Sequence, residues 1–174
     1  EYFHITIPTA GFSVTTYAVA VMIAAPLLTA ATMRVERKKL ILAIVALFTL
    51  GNLVSGIAPT YFILLLGRIL TGFAHGTFFA VATKVAIQLV PKEKQASAIA
   101  IMFSGLTVAL VVGVPFGTFL ANIVSFRTTF YIIVAIGIIS FLGILKMIPN
   151  KLEMAESGSF FHQFSFLNNK YLRI

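Results

Sequence analysis

LILAIVALFTLGNLVSGI, residues 40–57, runs through APT, residues 58–60, into YFILLLGRILTGFAHGTFFAVATKVAIQL, residues 61–89. The first block has no Lys, Arg, Asp or Glu. About 20 apolar residues in an α-helix cross a hydrocarbon layer roughly 30 Å thick. The second block is longer and carries only Arg68 and Lys84 as charges. The connection Ala58-Pro59-Thr60 forces an antiparallel return. The stretch therefore reads as a hairpin of two membrane-spanning helices.

The same reading extends outward. Apolar runs at about 10–33, 98–124 and 128–147 bring the expected spans to five. Between them lie Arg34-Val35-Glu36-Arg37-Lys38-Lys39, Pro91-Lys92-Glu93-Lys94-Gln95 and Ser125-Phe126-Arg127. Residues 1–148 are thus expected to form an all-α, polytopic membrane helical bundle. Residues 149–174 are more polar. There Phe160, Phe161, Phe164 and Leu167 recur at helical spacing, which fits either an amphipathic helix on the inner membrane face or a linker with scattered aromatics.

Composition excludes the main alternatives. The chain is 59% hydrophobic and 10% charged, with a mean hydropathy of +1.01. Soluble domains carry about 25% charged residues, so a water-exposed surface cannot be built here. The net charge of +8 does not indicate nucleic acid, because most basic residues sit in short clusters between apolar runs. The chain has no Cys, which removes disulfides, thiol chemistry and cysteine metal sites. No run holds Asp or Glu, and His75 is the one histidine within a run, so paired-carboxylate, triad and metal-ligand sets are missing from the spans. No enzyme activity, metal or bound cofactor is expected.

Lys/Arg asymmetry sets the orientation. Ten basic residues fall on the side of the 34–39 loop, the 91–97 loop and the tail, against Arg127 alone on the other. The clustered side is expected to be cytoplasmic, with the amino end outside. The chain starts at Glu1, and its first apolar run lacks a basic leader and a cleavage site. It is expected to be a segment of a longer protein.

Arg68 lies seven residues past Tyr61, roughly 10 Å into the apolar layer. A central Arg costs about 2.5–3.5 kcal/mol on insertion scales. It either faces a watery path as an ionic group or snorkels to the outer interface. His75, seven residues on, shares its face, and Arg68, Thr71 and His75 form an expected polar stripe beside Gly72 and Gly76. His75 is open to two readings, a proton carrier or a histidine bonded within the bundle. The fourth run carries a small-residue ladder, Gly105, Ala109, Gly113, Gly117 and Ala121. Such ladders let backbones approach closely, whether for packing alone or as a hinge and seal. Pro115 removes a backbone hydrogen bond and is expected to kink the helix.

Several stretches resemble the major facilitator superfamily, in its drug:proton antiporter branch. The likeness is nearest to the bacterial arabinose efflux permease group. They are Ile5-Thr6-Ile7-Pro8-Thr9-Ala10-Gly11, Ala25-Pro26-Leu27-Leu28, Phe48-Thr49-Leu50-Gly51-Asn52, Gly67-Arg68, His75-Gly76-Thr77-Phe78-Phe79, Gly105-Leu106-Thr107, Gly113-Val114-Pro115-Phe116-Gly117-Thr118 and Phe126-Arg127-Thr128-Thr129-Phe130. The resemblance implies helices two to six of the N-terminal half of a facilitator fold, plus the start of the central loop. It implies a signature gate loop at Arg34, Arg37 and Lys38, an intramembrane Arg at Arg68 and an antiport motif at Gly113, Pro115 and Gly117. Two positions depart from the family pattern. The signature loop lacks its usual Asp, and Leu110 stands where this group often has Asn.

The implied function is proton-coupled efflux of a small organic solute, such as a sugar or drug, by alternating access. The alternatives are uptake by symport and a truncated fragment that does not transport. The implied partners are the lipid bilayer of a bacterial inner membrane, the solute, protons and the remaining helices of the parent chain.

Overall fold

A computed structural model of the chain describes residues 3, 5–32 and 35–149. Arg34 and the expected tail helix lie outside the described residues.

The described residues are helical throughout, without strands: α1 (Ile7–Ala31), α2 (Arg37–Ile57), α3 (Tyr61–Gln88), α4 (Gln95–Val108), α5 (Val114–Ile123) and α6 (Phe126–Met147). A 3-10 turn at Lys92–Lys94 precedes α4, and a π turn at Ala109–Gly113 joins α4 to α5. Five segments are long and apolar enough to cross a membrane, the fourth being the composite Lys92–Ile123. Helices are what hydrocarbon demands, because each backbone N–H must find its carbonyl within the segment.

Local chemistry sets the helix ends. α1 starts before residue 10 because Thr6 caps it: its hydroxyl accepts from Thr9 N–H at 3.3 Å, and Pro8 lies in the first turn. Thr60 caps α3 through Ile63 N–H at 3.4 Å, and Ser125 caps α6 through Arg127 N–H at 3.2 Å.

The packing order follows from paired contacts. α3 lies against both α1 and α2, and α2 lies against α6. α1 and α3 run parallel, since Tyr61 Oη donates to Thr9 O at 2.5 Å and Gly72 and Gly76 meet Ala20 and Ala24 further along. α2 and α6 run antiparallel and are tied at both ends. Lys38 Nζ donates to Leu145 O at 2.9 Å, and Arg127 Nη2 donates to Ala58 O at 2.8 Å. Each is a cation placed on the carbonyls at a helix C-terminal end, where the macrodipole favours it.

The break between α1 and α2 is shorter than the expected 34–39 loop. Arg37 and Lys38 lie in the first turn of α2, at 3% and 8% exposure. The helix starts early because Lys38 spends its charge on the end of α6, and Lys39 pairs with Glu36 at 2.8 Å.

The core sits between α2 and α3: Leu40, Ile41, Ile44, Ala74, Val81, Ala82 and Val85. The buried uncharged polar side chains of α2 and α3 bond within their own helices. Asn52 Nδ2 donates to Phe48 O at 2.8 Å, Ser55 Oγ to Gly51 O at 2.9 Å and Thr77 Oγ1 to Phe73 O at 3.0 Å. Such back-bonding is how a polar side chain is tolerated in lipid. The fourth span has no buried residue, and Val108, Val111, Phe116 and Phe119 are exposed along it. In water this surface would aggregate; in a bilayer it is ordinary.

Candidate functional site

Tyr17 sits ten residues past Ile7, about 15 Å along α1 and far from the interfaces where membrane tyrosines concentrate. Gly72 and Gly76 bring α3 close enough to use it. A Cβ at Gly72 would stand 2.8 Å from Tyr17 O, and one at Gly76 would stand 3.1 Å from Ala25 N. That approach places the Arg68 guanidinium over the Tyr17 ring, 4.2 Å from its centroid. One face of a buried-side cation is thereby covered by a π-system, an attraction of about 0.5–2 kcal/mol. His75 reaches the same tyrosine from two turns further along. Its Nδ1 is 2.8 Å from Tyr17 Oη, and the two rings meet edge to face at 5.7 Å.

The aromatic contacts continue towards the C-terminal end of α3. His75 meets Phe79 at 5.2 Å, and Phe79 stacks on Phe103 of α4 at 5.4 Å and 7°. His75 also lines a cavity of about 490 Å³ between α2, α3, α4 and α6. Its walls are apolar, including Phe48, Phe78, Met102 and Ile133, with Ser140 as a further polar group.

Arg68 and His75 are therefore together, as the sequence predicts. Thr71 is not with them. It is buried, donates to Arg68 O at 3.0 Å and packs against Gly51 of α2, where a Cβ would meet its Cγ2 at 2.8 Å. The polar stripe is split, with Arg68 and His75 turned to α1 and Thr71 turned to α2. Tyr17 is the site residue that sequence reasoning missed. The available signal was a tyrosine at mid-membrane depth, where its hydroxyl needs a partner.

Among the described residues, the glycines of the fourth-span ladder are closely packed only at its far end. Gly117 faces Thr129, which a Cβ would approach to 3.3 Å, and Thr129 Oγ1 donates to Gly117 O at 3.1 Å. Gly105 and Gly113 meet no described residue within 4 Å, so the close neighbour expected for them is not among the described residues. The close glycine contacts lie elsewhere, at Gly51 and Gly67 between α2 and α3, at Gly72 and Gly76 on α1, and at Gly137 against Thr49. The break at Pro115 takes the form of the π turn. Val114 N–H donates five residues back to Ala109 O, and the wider turn absorbs the donor that Pro115 lacks. Leu110 lies in this turn and is exposed.

Comparison with known proteins agrees with this architecture. The Major Facilitator Superfamily family description matches residues 1–173. The chain is 43% identical over 173 residues to the uncharacterized MFS-type transporter YfhI of Bacillus subtilis (strain 168), covering 94% of this chain and 44% of that protein. It is 43% identical over 145 residues to the inner membrane transport protein YdhP of Escherichia coli (strain K12), covering 83% of this chain and 37% of that protein. It is 34% identical over 165 residues to the E. coli protein AraJ, covering 95% and 42%. The chain spans less than half the length of these curated relatives. Five apolar spans, a charged and aromatic cluster between two of them, and a family match along almost the whole length lead to one conclusion: the chain belongs to the Major Facilitator Superfamily of membrane transporters.

Proposed function

We propose that the full-length transporter exports a small organic solute in exchange for protons, by alternating access. The observation that carries this reading is the Arg68–Tyr17–His75 cluster at mid-membrane depth. A charge kept there against its insertion cost serves a transport path or a proton relay. Arg68 keeps its proton at any working pH, so it acts as the fixed cation. The proton-binding group is either His75 or a carboxylate brought by the rest of the transporter. Gly113, Pro115 and Gly117, around the π turn, are the positions where the fourth span bends and seals. No bound cofactor takes part, since the proton gradient supplies the energy.

A facilitator half contains two inverted three-helix repeats. The apolar cavity between α2, α3, α4 and α6 is then the seat of a helix supplied by the parent chain. That helix would cover the faces of α4 and α6 that are exposed here.

The test is solute movement in proteoliposomes containing the full-length transporter, under an imposed pH gradient, with arabinose and fluorescent lipophilic dyes as probes. Efflux driven by inward proton flow is expected. Uptake that runs with the proton gradient would replace antiport by symport. The present chain alone is expected to give no solute-dependent proton flux, because the second wall of the path is missing.

The proposed orientation places the amino end outside and the basic clusters in the cytoplasm of a bacterial cell. Single cysteines at Pro59 and Lys94 are expected to react with an impermeant thiol reagent from opposite sides of the membrane. Reaction of both from outside would overturn this topology.

A further inference from the structure

We propose that Tyr17 is a positioning residue that ties the protonation of His75 to the placement of Arg68. The inference deepens the proton-coupled reading above and rests on it. The Tyr17 ring is engaged by two basic side chains at once, of which only Arg68 carries a permanent charge. Arg68 covers its face, 4.2 Å from the centroid, and His75 bonds its hydroxyl at 2.8 Å. A tyrosine phenol keeps its proton at neutral pH, so Tyr17 is not the carrier.

With His75 neutral and its hydrogen on Nε2, Nδ1 accepts the Tyr17 hydroxyl. A proton arriving from water in the path binds Nδ1, and both ring nitrogens become donors. The bond to Tyr17 must then reverse, with Nδ1–H donating to Oη and the tyrosine hydrogen turning to another acceptor. A second positive charge has meanwhile arrived beside a ring that already carries Arg68. The ring belongs to α1, whereas Arg68 and His75 both belong to α3. The repulsion is relieved when Arg68 leaves the ring or α1 shifts along α3, and either movement changes the path.

Phe79 on its own helix meets the His75 ring, and Phe48 from α2, Met102 from α4 and Ser140 from α6 line the same cavity. Neither α1, α2, α3, α4 nor α6 contains an Asp or Glu that could neutralise the added charge.

The experiment uses the full-length transporter with any native cysteines replaced. A nitroxide is attached at Leu65→Cys, one turn from Arg68 on α3. Its mobility spectrum is recorded from about pH 5 to about pH 8, where a histidine changes charge. The ratio of mobile to immobile components is expected to change severalfold across this range. Tyr17→Phe keeps the ring beneath Arg68 but removes the hydroxyl, and it is expected to flatten the response. His75→Gln keeps a hydrogen-bonding side chain that does not titrate, and it is expected to flatten the response equally. The double variant is expected to behave as either single one, because both break the same link. An unchanged response in Tyr17→Phe, no response in the otherwise native protein, or additive effects in the double variant would each overturn the proposal. An intact link in a protein without pH-gradient-driven efflux would instead overturn the efflux reading alone.

Discussion

Arg68→Ala in the full-length transporter is expected to abolish pH-gradient-driven efflux while leaving membrane insertion intact. The two effects separate for a physical reason. Removing a mid-membrane cation relieves an insertion cost of about 2.5–3.5 kcal/mol, so α3 enters the bilayer at least as readily. The structural loss is the stack on Tyr17, about 0.5–2 kcal/mol, which the α1–α3 glycine contacts survive. The functional loss is larger, because the fixed charge has no substitute in the described spans: Lys84 is the other cation deep in α3, more than four turns away. Arg68→Lys is expected to be intermediate, since an ammonium keeps the charge but not the planar stack. The measurement is efflux in inverted vesicles at matched protein levels. Normal efflux by Arg68→Ala would remove this residue from the path.

Gly67→Val is expected to produce a large loss of stability. A Cβ at Gly67 would stand 2.7 Å from Gly51 O and 2.9 Å from Ser55 N, with Ser55 Oγ closer still. Two of these atoms are backbone and cannot rotate away, so α2 and α3 must separate along the contact that holds the core. Overpacking of this kind costs about 1–3 kcal/mol. The expected result is a clearly lowered thermal unfolding midpoint in detergent, with loss of monodisperse protein. Gly11→Val serves as the comparison, because nothing lies within 4 Å of that position. Equal midpoints for the two variants would show that the α2–α3 contact is looser than described. Gly113→Leu differs from both. It meets none of the described residues, so it is expected to spare the α2–α3 assembly and to impair transport, by blocking approach of a helix from the rest of the transporter.

What was legible in the sequence was set by the solvent. A bilayer accepts few backbone arrangements, so apolar runs between short charged breaks translate directly into five helical spans. The pairing of Arg68 with His75 was legible too, since seven residues return to within about 20° of the same helix face. Thr71 failed by the same arithmetic. It lies three residues from Arg68, about 60° around the helix, and that is enough to turn it from α1 to α2.

The sequence alone determined the class, the number of spans and the residue that carries the central charge. The tertiary structure decided which helices meet, and therefore everything that depends on two of them. Tyr17 and Arg68 are 51 positions apart, and no periodicity within one helix connects them. Lys38 and Arg127 looked like loop charges until α6 and the end of α2 were placed beside them. The small-residue ladder looked like the packing seam, yet the tight contacts fall at Gly51, Gly67, Gly72, Gly76 and Gly137. A glycine in a membrane helix marks where close approach is permitted, and only the neighbouring helix decides whether it is used.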